Sequence, residues 1–451
     1  MHKPLSTPSL LLIIRLIGAA AGLLFQLLLA RVLRPADLGT FFAPSSLAAI
    51  LGICAAQGYP AIAARFISRY VERKKRVWLA SFLTISTRNS LMASALAALL
   101  VVAAANVPFG VVNQDVRLAF SYAGISIPAF MSLTLLGSFG VAKRNFASAL
   151  VPELVIRPLL LVLFVAAMLV SHTPITASDA ILVFVGLTVL LAIIQHRLIW
   201  RDLPNIDFTS STSLSRRWRT EAWTLLIPLL FSSFFADLTV VVAAPFLPAA
   251  ELAAFGVSIK IAMIVGFGVQ VAHQVILPDL SEAYARRQKE EIAGLLLRAA
   301  PFPIAFASLS FFITILFGRQ ALFLFGPEFG HAWAPLVLLV GCQIVRALAG
   351  PNQAILTLEG AQRLSLAICA LACLVLLLGN AVLSSSYGLW GSVIATVLAY
   401  LVWILGGGLV LPMISAVRTD IVSVVMQSAS RRSNPIDSAR MLPGIHRSRR
   451  S

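Results

Sequence analysis

"LLLIIRLIGAAAGLLFQLLLARVLRPADLGTFF", residues 10–42, is an apolar run with Arg15 inside it and Arg31 and Arg34 at its end, closed by a Pro-Ala-Asp-Leu-Gly turn. A helix needs about 20 mostly apolar residues to cross the hydrocarbon core of a bilayer, and residues 10–30 meet that requirement. The run is longer than the apolar part of a secretory signal and is followed at once by another. It is therefore expected to stay in the mature chain.

Working outward, apolar runs of similar length recur at 40–63, 78–105, 119–142, 150–170, 180–200, 223–244, 252–277, 299–317, 333–358, 364–383 and 389–414. With 59% hydrophobic residues, 12% charged residues and a mean hydropathy of +0.92, a soluble fold is excluded. The runs are too continuous for barrel strands, which show about ten residues of alternating polarity, so the backbone must satisfy itself as helices. The expected class is an all-α polytopic membrane protein with about 12 transmembrane helices.

Charge sets the orientation. Placing the N-terminus in the cytoplasm puts the basic segments around Arg65–Arg76, Lys143–Arg144, Arg197–Arg219, Arg286–Arg298 and the arginines from Arg418 onward inside, leaving Arg31, Arg34, Arg117 and Arg319 outside. Basic residues near spans stay cytoplasmic, so both termini are expected inside, in a bacterial inner membrane. The net charge of +17 then reflects a basic face against anionic lipid and calls for no nucleic acid. Cys54, Cys342, Cys369 and Cys373 lie in apolar runs, with no His or carboxylate beside the Cys369/Cys373 pair, and read as small buried hydrophobes rather than metal ligands. No metal or cofactor is expected.

The two halves look like copies. Leu33-Arg34-Pro35-Ala36-Asp37-Leu38-Gly39-Thr40-Phe41 recurs as Leu247-Pro248-Ala249-Ala250-Glu251-Leu252-Ala253-Ala254-Phe255, and the same offset lays Tyr70 on Tyr284, Arg73 on Arg287 and Lys75 on Lys289. Six spans per copy gives both halves the same insertion, related by an axis along the membrane normal. The expected organisation is a six-helix lobe at 1–201, a polar linker at 202–220, a pseudo-symmetric second lobe at 221–417 and a basic cytoplasmic tail at 418–451.

"RLIGAAAGLLFQLLLARVLRPADLGTFF" at 15–42 and "RFISRY" at 65–70 resemble the opening of Wzx-type polysaccharide biosynthesis flippases of the multidrug/oligosaccharidyl-lipid/polysaccharide exporter superfamily. Asp237, "LAAFGVSIKIA" at 252–262, "LFGPEF" at 324–329 and "GLWGSVIAT" at 388–396 agree, with Arg34 standing where Gly is usual. The resemblance implies a non-enzymatic carrier that moves an oligosaccharide on polyprenyl diphosphate from the cytoplasmic to the periplasmic leaflet by alternating access. It also implies partners among polysaccharide polymerase or chain-length proteins.

A diphosphate headgroup wants cations inside the membrane, where ionisable residues are costly and usually functional. Within the spans Arg15, Arg88, Arg157, Lys260 and Arg346 outnumber Glu153 and Asp237, and the five cations are the candidate cargo contacts. Arg15 and Arg157 sit only about 8–9 Å inside their spans, so each either snorkels to the interface or meets cargo, and Glu153 with Arg157 is an i,i+4 pair. The start of the span that carries Arg88 is polar enough to be interfacial. Arg346 lies midway along 333–358 without a nearby carboxylate; either it pairs with a carboxylate on another helix or it faces the cavity, and the cavity is the favoured expectation. Asp237 and Lys260 flank the turn at 247–248 at similar depth; either they lock helices as an ion pair or Asp237 is a coupling or gating carboxylate. Pro60, Pro128, Pro228, Pro335 and Pro351 are expected to bend spans, and Gly18 with Gly22 to form a packing seam.

Two other classes compete. A proton- or sodium-coupled drug or cation antiporter of the same superfamily would want an acidic pocket. A membrane polymerase or ligase would carry a long outside loop, whereas the longest outside segment is 318–332, and no phosphate-binding G-x-x-x-x-G-K-[ST] loop occurs.

Overall fold

A computed structural model describes residues 7–107, 113–201, 215–286 and 288–414, excluding the side chains of residues 7–12 and Lys289. Most of the interlobe linker, Arg287 and the basic tail lie outside the described residues. Every described element is helical, as a chain without water to satisfy its backbone requires. Among the described residues eleven helices are long and apolar enough to span a membrane, and two more, Ser215–Ser233 and Phe235–Ala243, bent by 88° at Phe234, together have the length and apolarity of a twelfth, broken span. The chain is an all-α, multi-pass membrane protein.

The first half runs Thr7–Val32, Pro35–Ala55, Arg76–Asn106, Gln114–Ala142, Phe146–Ser171 and Ala177–Arg201. The second span is shorter than the apolar run suggests. It stops at Ala55, because Gly58 turns the chain at φ +75° with its Cα against the carbonyl of Ala222, and a separate amphipathic helix, Tyr59–Glu72, follows. The fifth span carries a π-turn at Pro152–Ile156.

The second half continues with the bent seventh span, then Ala249–Val275, Pro301–Phe325, Trp333–Ala349, Gln362–Gly379 and Leu389–Ile414. The run 333–358 is not one helix. It breaks at Gly350, where φ is +75°, and Pro351 leads into the short helix Asn352–Leu358. Pro60 and Pro335 likewise sit in the first turns of helices, while Pro128 and Pro228 lie inside them.

The paired turn motifs pack on each other. Gly39 meets the carbonyl of Ala249 so closely that a Cβ would collide with it. Around this contact Leu38, Phe42, Leu252 and Phe255 are buried, and Arg31 donates to the carbonyls of Leu324 (2.6 Å) and Phe323 (2.9 Å). At this end the halves touch at Gly39 and Ala249 beside a crevice of about 460 Å³ lined by Thr40, Ala43, Phe120, Val241 and Leu252. At the other, basic end, Trp218 is buried edge-on against Phe82 and Tyr70, donates its indole N–H to the Tyr70 hydroxyl (2.9 Å), and is flanked by Glu221, which pairs with Arg65 and Arg217. The first part of the seventh span is thereby held on the first half of the molecule.

Candidate functional site

Breaks and small residues open a space between the halves. Gly18 packs on the π-turn at the Leu154 carbonyl, whereas Gly22 has nothing facing it and lines the space, so only one of the two glycines serves as a seam. The resulting cavity, about 760 Å³, runs from Phe25, Phe41 and Phe184 in mid-bundle to Pro60, Ala64, Val141 and Ala149. Val141 and Ala149 flank the basic turn at 143–145, and Pro60 and Ala64 lie in the first turns of the helix that leads to the basic turn at 73–76. The volume lies within the range of about 300–1,000 Å³ usual for ligand sites.

Its walls collect Arg15, Glu153, Arg157, Asp237 and Lys260. Arg15 donates through Nη1 to Gln274 Oε1 (3.0 Å), bridging the first and eighth spans. Arg157 and Glu153 form no direct ion pair; the guanidinium instead lies against the rings of Phe130 and Phe184, 5.2 and 5.5 Å from their centroids. Its Nη1 is buried with no hydrogen-bond partner, a donor held ready for an acceptor that enters the cavity.

Asp237 and Lys260 share the cavity without direct contact. Asp237 Oδ1 accepts the Ser46 hydroxyl (2.8 Å), and the Lys260 ammonium sits 4.1 Å from the centroid of Phe42, a cation–π contact. The 88° break places Asp237 in the first turn of its own short helix.

Arg346 occupies an adjoining pocket of about 200 Å³ with Gln270, His273, Gln274, Asn352 and Gln353. Ser232 and Gln270 line both spaces. Because the tenth span ends at Ala349, Arg346 lies in the last helical turn and not at the middle of a long span; a cation there is favoured by the helix dipole. Arg88 corrects the sequence reading. Ser86 and Ser90 are buried on one face of its helix, so Arg88, between them in sequence, projects from the opposite face, exposed and away from both spaces.

The polar face of the eighth span, Gln270 with His273 and Gln274, went unnoticed as a site because hydropathy treats scattered glutamines as noise; their i, i+3, i+4 spacing beside Lys260 was the available signal. Among the described residues no three His, Cys, Asp or Glu side chains are grouped to hold a metal ion.

The chain shares its fold with solved transporters. An inward-facing multidrug resistance MATE family transporter of the MOP superfamily superimposes with a TM-score of 0.67 at 17% identity, covering 90% of this chain and 99% of the other. A MOP superfamily transporter from Pyrococcus furiosus gives 0.63 at 15% identity, covering 95% and 96%. An outward-facing MATE transporter gives 0.57 at 16% identity, covering 95% and 96%. No curated protein sequence matches this one. The family model for polysaccharide biosynthesis proteins matches residues 8–284, more than half of the chain, and the protein belongs to that family.

Proposed function

We propose that the protein is a flippase that carries a polyprenyl-diphosphate-linked oligosaccharide, such as an O-antigen or exopolysaccharide repeat unit, from the cytoplasmic to the periplasmic leaflet of the inner membrane. The observation that carries this reading is the cavity itself, which gathers Arg15, Arg157 and Lys260 and leaves a buried guanidinium N–H of Arg157 unpaired. A diphosphate supplies the acceptor oxygens that such donors lack. Membership of a polysaccharide biosynthesis family supports a saccharide cargo.

The contact of Gly39 on Ala249 and a cavity that extends to Val141 and Ala149 support the reading of a carrier whose cavity opens on the side where lipid-linked saccharides are assembled. With both termini in the cytoplasm, as the distribution of basic residues favours, that side is the cytoplasm. Alternating access then requires the turn contacts to part and the basic end to close.

An antiporter for cationic drugs fits less well, because cations outnumber carboxylates along the cavity. One solved transporter of this fold is described as having a binding pocket of reverse polarity that suggests a different function, so pocket charge is a sensible discriminator within the fold. The test is flipping in proteoliposomes of fluorescent undecaprenyl diphosphate carrying an oligosaccharide, read by quenching of the outer leaflet with dithionite. The wild type should expose the inner-leaflet pool, and Arg157→Gln should slow it at least about tenfold, the size of a lost charge-assisted hydrogen bond. Flipping no faster than in protein-free vesicles contradicts the reading.

A further inference from the structure

A groove lies on the outer flank of the first half, across the fourth span from the central cavity. Phe130, Leu133, Thr134 and Gly137 of that span line the cavity, whereas Ala129, Ser132, Leu135 and Leu136 line the groove, and the two spaces share no residue. The groove encloses about 450 Å³, and its side walls are Thr87 and Leu91 of the third span and Val189, Ile193, His196 and Arg197 of the sixth. Leu91, Ile125 and Ile193 are exposed along it, so it opens to the bilayer and not to the cavity.

Depth shows which part of a lipid fits. At their ends away from the basic face the third and sixth spans stop at Asn106 and Ala177, and the fourth at Gln114. At the helical rise Thr87 and Arg88 lie about 27–29 Å from Asn106, and His196 and Arg197 about 28–30 Å from Ala177, close to one hydrocarbon thickness of about 30 Å. Ile125 and Val189, at the opposite end of the groove, lie only about 16–18 Å from Gln114 and Ala177. The groove therefore runs from mid-bilayer to the headgroup boundary on the basic side, the depth of a single leaflet.

Its headgroup end is cationic. Arg197 lines the groove, and Arg88, next to Thr87 and one turn from Leu91, stands at its edge; both are exposed. Among the described residues neither is paired with a carboxylate, and no Asp or Glu lines the groove. Thr87 Oγ1 is buried there without a hydrogen-bond partner. A zwitterionic headgroup would bring an ammonium with no carboxylate to meet it, whereas an anionic one finds two guanidinium forks and a hydroxyl donor. We infer that this groove is a binding site for an anionic glycerophospholipid of the leaflet on the basic side, its phosphate between Arg88 and Arg197, a headgroup oxygen on the Thr87 hydroxyl and one acyl chain along the fourth span. The site is independent of the cargo.

The test is titration of the full-length, delipidated protein with dioleoyl phosphatidylglycerol or dioleoyl phosphatidylethanolamine, with bound lipid counted by native mass spectrometry. The wild type should bind the first about tenfold or more tightly, as one charge-assisted pair implies. Arg88→Gln with Arg197→Gln should abolish that preference. Lysine at both positions, which keeps the charges but loses the planar forks, should retain part of it and guards against a folding defect. Arg216→Gln with Arg219→Gln, which removes two exposed cations outside the groove, should leave it unchanged. A phosphatidylglycerol carrying a diazirine in its acyl chain should label the groove walls around Leu91, Ile125 and Ile193. Equal wild-type affinity for the two lipids, a preference that survives the glutamine pair, or one lost equally with Arg216 and Arg219 overturns the site. Labelling confined to the central cavity, or pairing of two copies of the chain through Ile125 in place of lipid, overturns it as well.

Discussion

The two halves of the molecule repeat their packing but not their charges. At the offset that lays Leu33 on Leu247, Gly52 falls on Gly266, and both are positions of close approach: a Cβ on Gly52 would stand 2.5 Å from Phe130 Cβ, and one on Gly266 2.7 Å from Gln343 Oε1. Every ionisable residue of the two adjoining spaces has an uncharged counterpart at that offset. Arg15 is opposite Leu229, Glu153 opposite Ala367, Arg157 opposite Leu371, Asp237 opposite Leu23, Lys260 opposite Ser46, His273 opposite Tyr59 and Arg346 opposite Ser132. The seventh span shows the same divergence in backbone: Ser232–Phe235, where the chain bends by 88°, corresponds to Gly18–Ala21 in an unbroken first helix.

The largest expected effect separates the two spans at the basic end. The seventh is anchored by Trp218 in an aromatic enclosure, whereas the first carries Arg15 bonded to Gln274, so Trp218→Ala should cost about 3–5 kcal/mol in unfolding of the purified protein. A loss below about 1 kcal/mol would show that this anchor is not structural. Next come the paired glycines. Gly52→Ala drives a methyl into the immovable Cβ of Phe130 and should cost about 1–3 kcal/mol, while Gly266→Ala meets an amide that can rotate and should cost less; the reverse order in thermal unfolding would undo the distinction.

A charge swap sharpens the comparison at Ser46 and Lys260. Because Asp237 is held by Ser46 and Lys260 lies over Phe42, Asp237→Lys with Lys260→Asp should not recover the transport lost in either single variant: the swap sets a carboxylate against the negative face of a ring. Recovery in the double variant would restore the simple ion-pair lock. The smallest effect belongs to Arg15→Gln, which removes one half-exposed hydrogen bond to Gln274 and should change unfolding by about 0.5–1.5 kcal/mol.

The spans were readable because apolar length is a strong signal, and the internal repeat because a turn with Pro, an acid and two fixed apolar residues is distinctive. The breaks were not. Ser232-Ser233-Phe234-Phe235 contains neither Pro nor Gly, so no residue type there marks the bend. Gly350-Pro351 did carry a breaking signal, but continuous hydropathy past it made Arg346 look deeper than its place in a last helical turn. Arg15, Arg157, Lys260 and Asp237 were found from the rarity of charge in a membrane, whereas Arg88 required knowledge of which helical face is buried. Which cations share a space with amides depends on pairing of distant spans, and no local pattern encodes it.

The most direct measurement is extraction of lipid-linked saccharide from cells lacking the protein and any redundant flippase, with surface polysaccharide scored in parallel. The expected result is accumulation of lipid-linked repeat units on the cytoplasmic leaflet and loss of surface polymer, reversed by the wild-type chain but not by Arg157→Gln at equal membrane abundance. Normal surface polymer in the deletion strain, or full complementation by Arg157→Gln, would contradict a cationic cavity that carries a diphosphate-linked cargo.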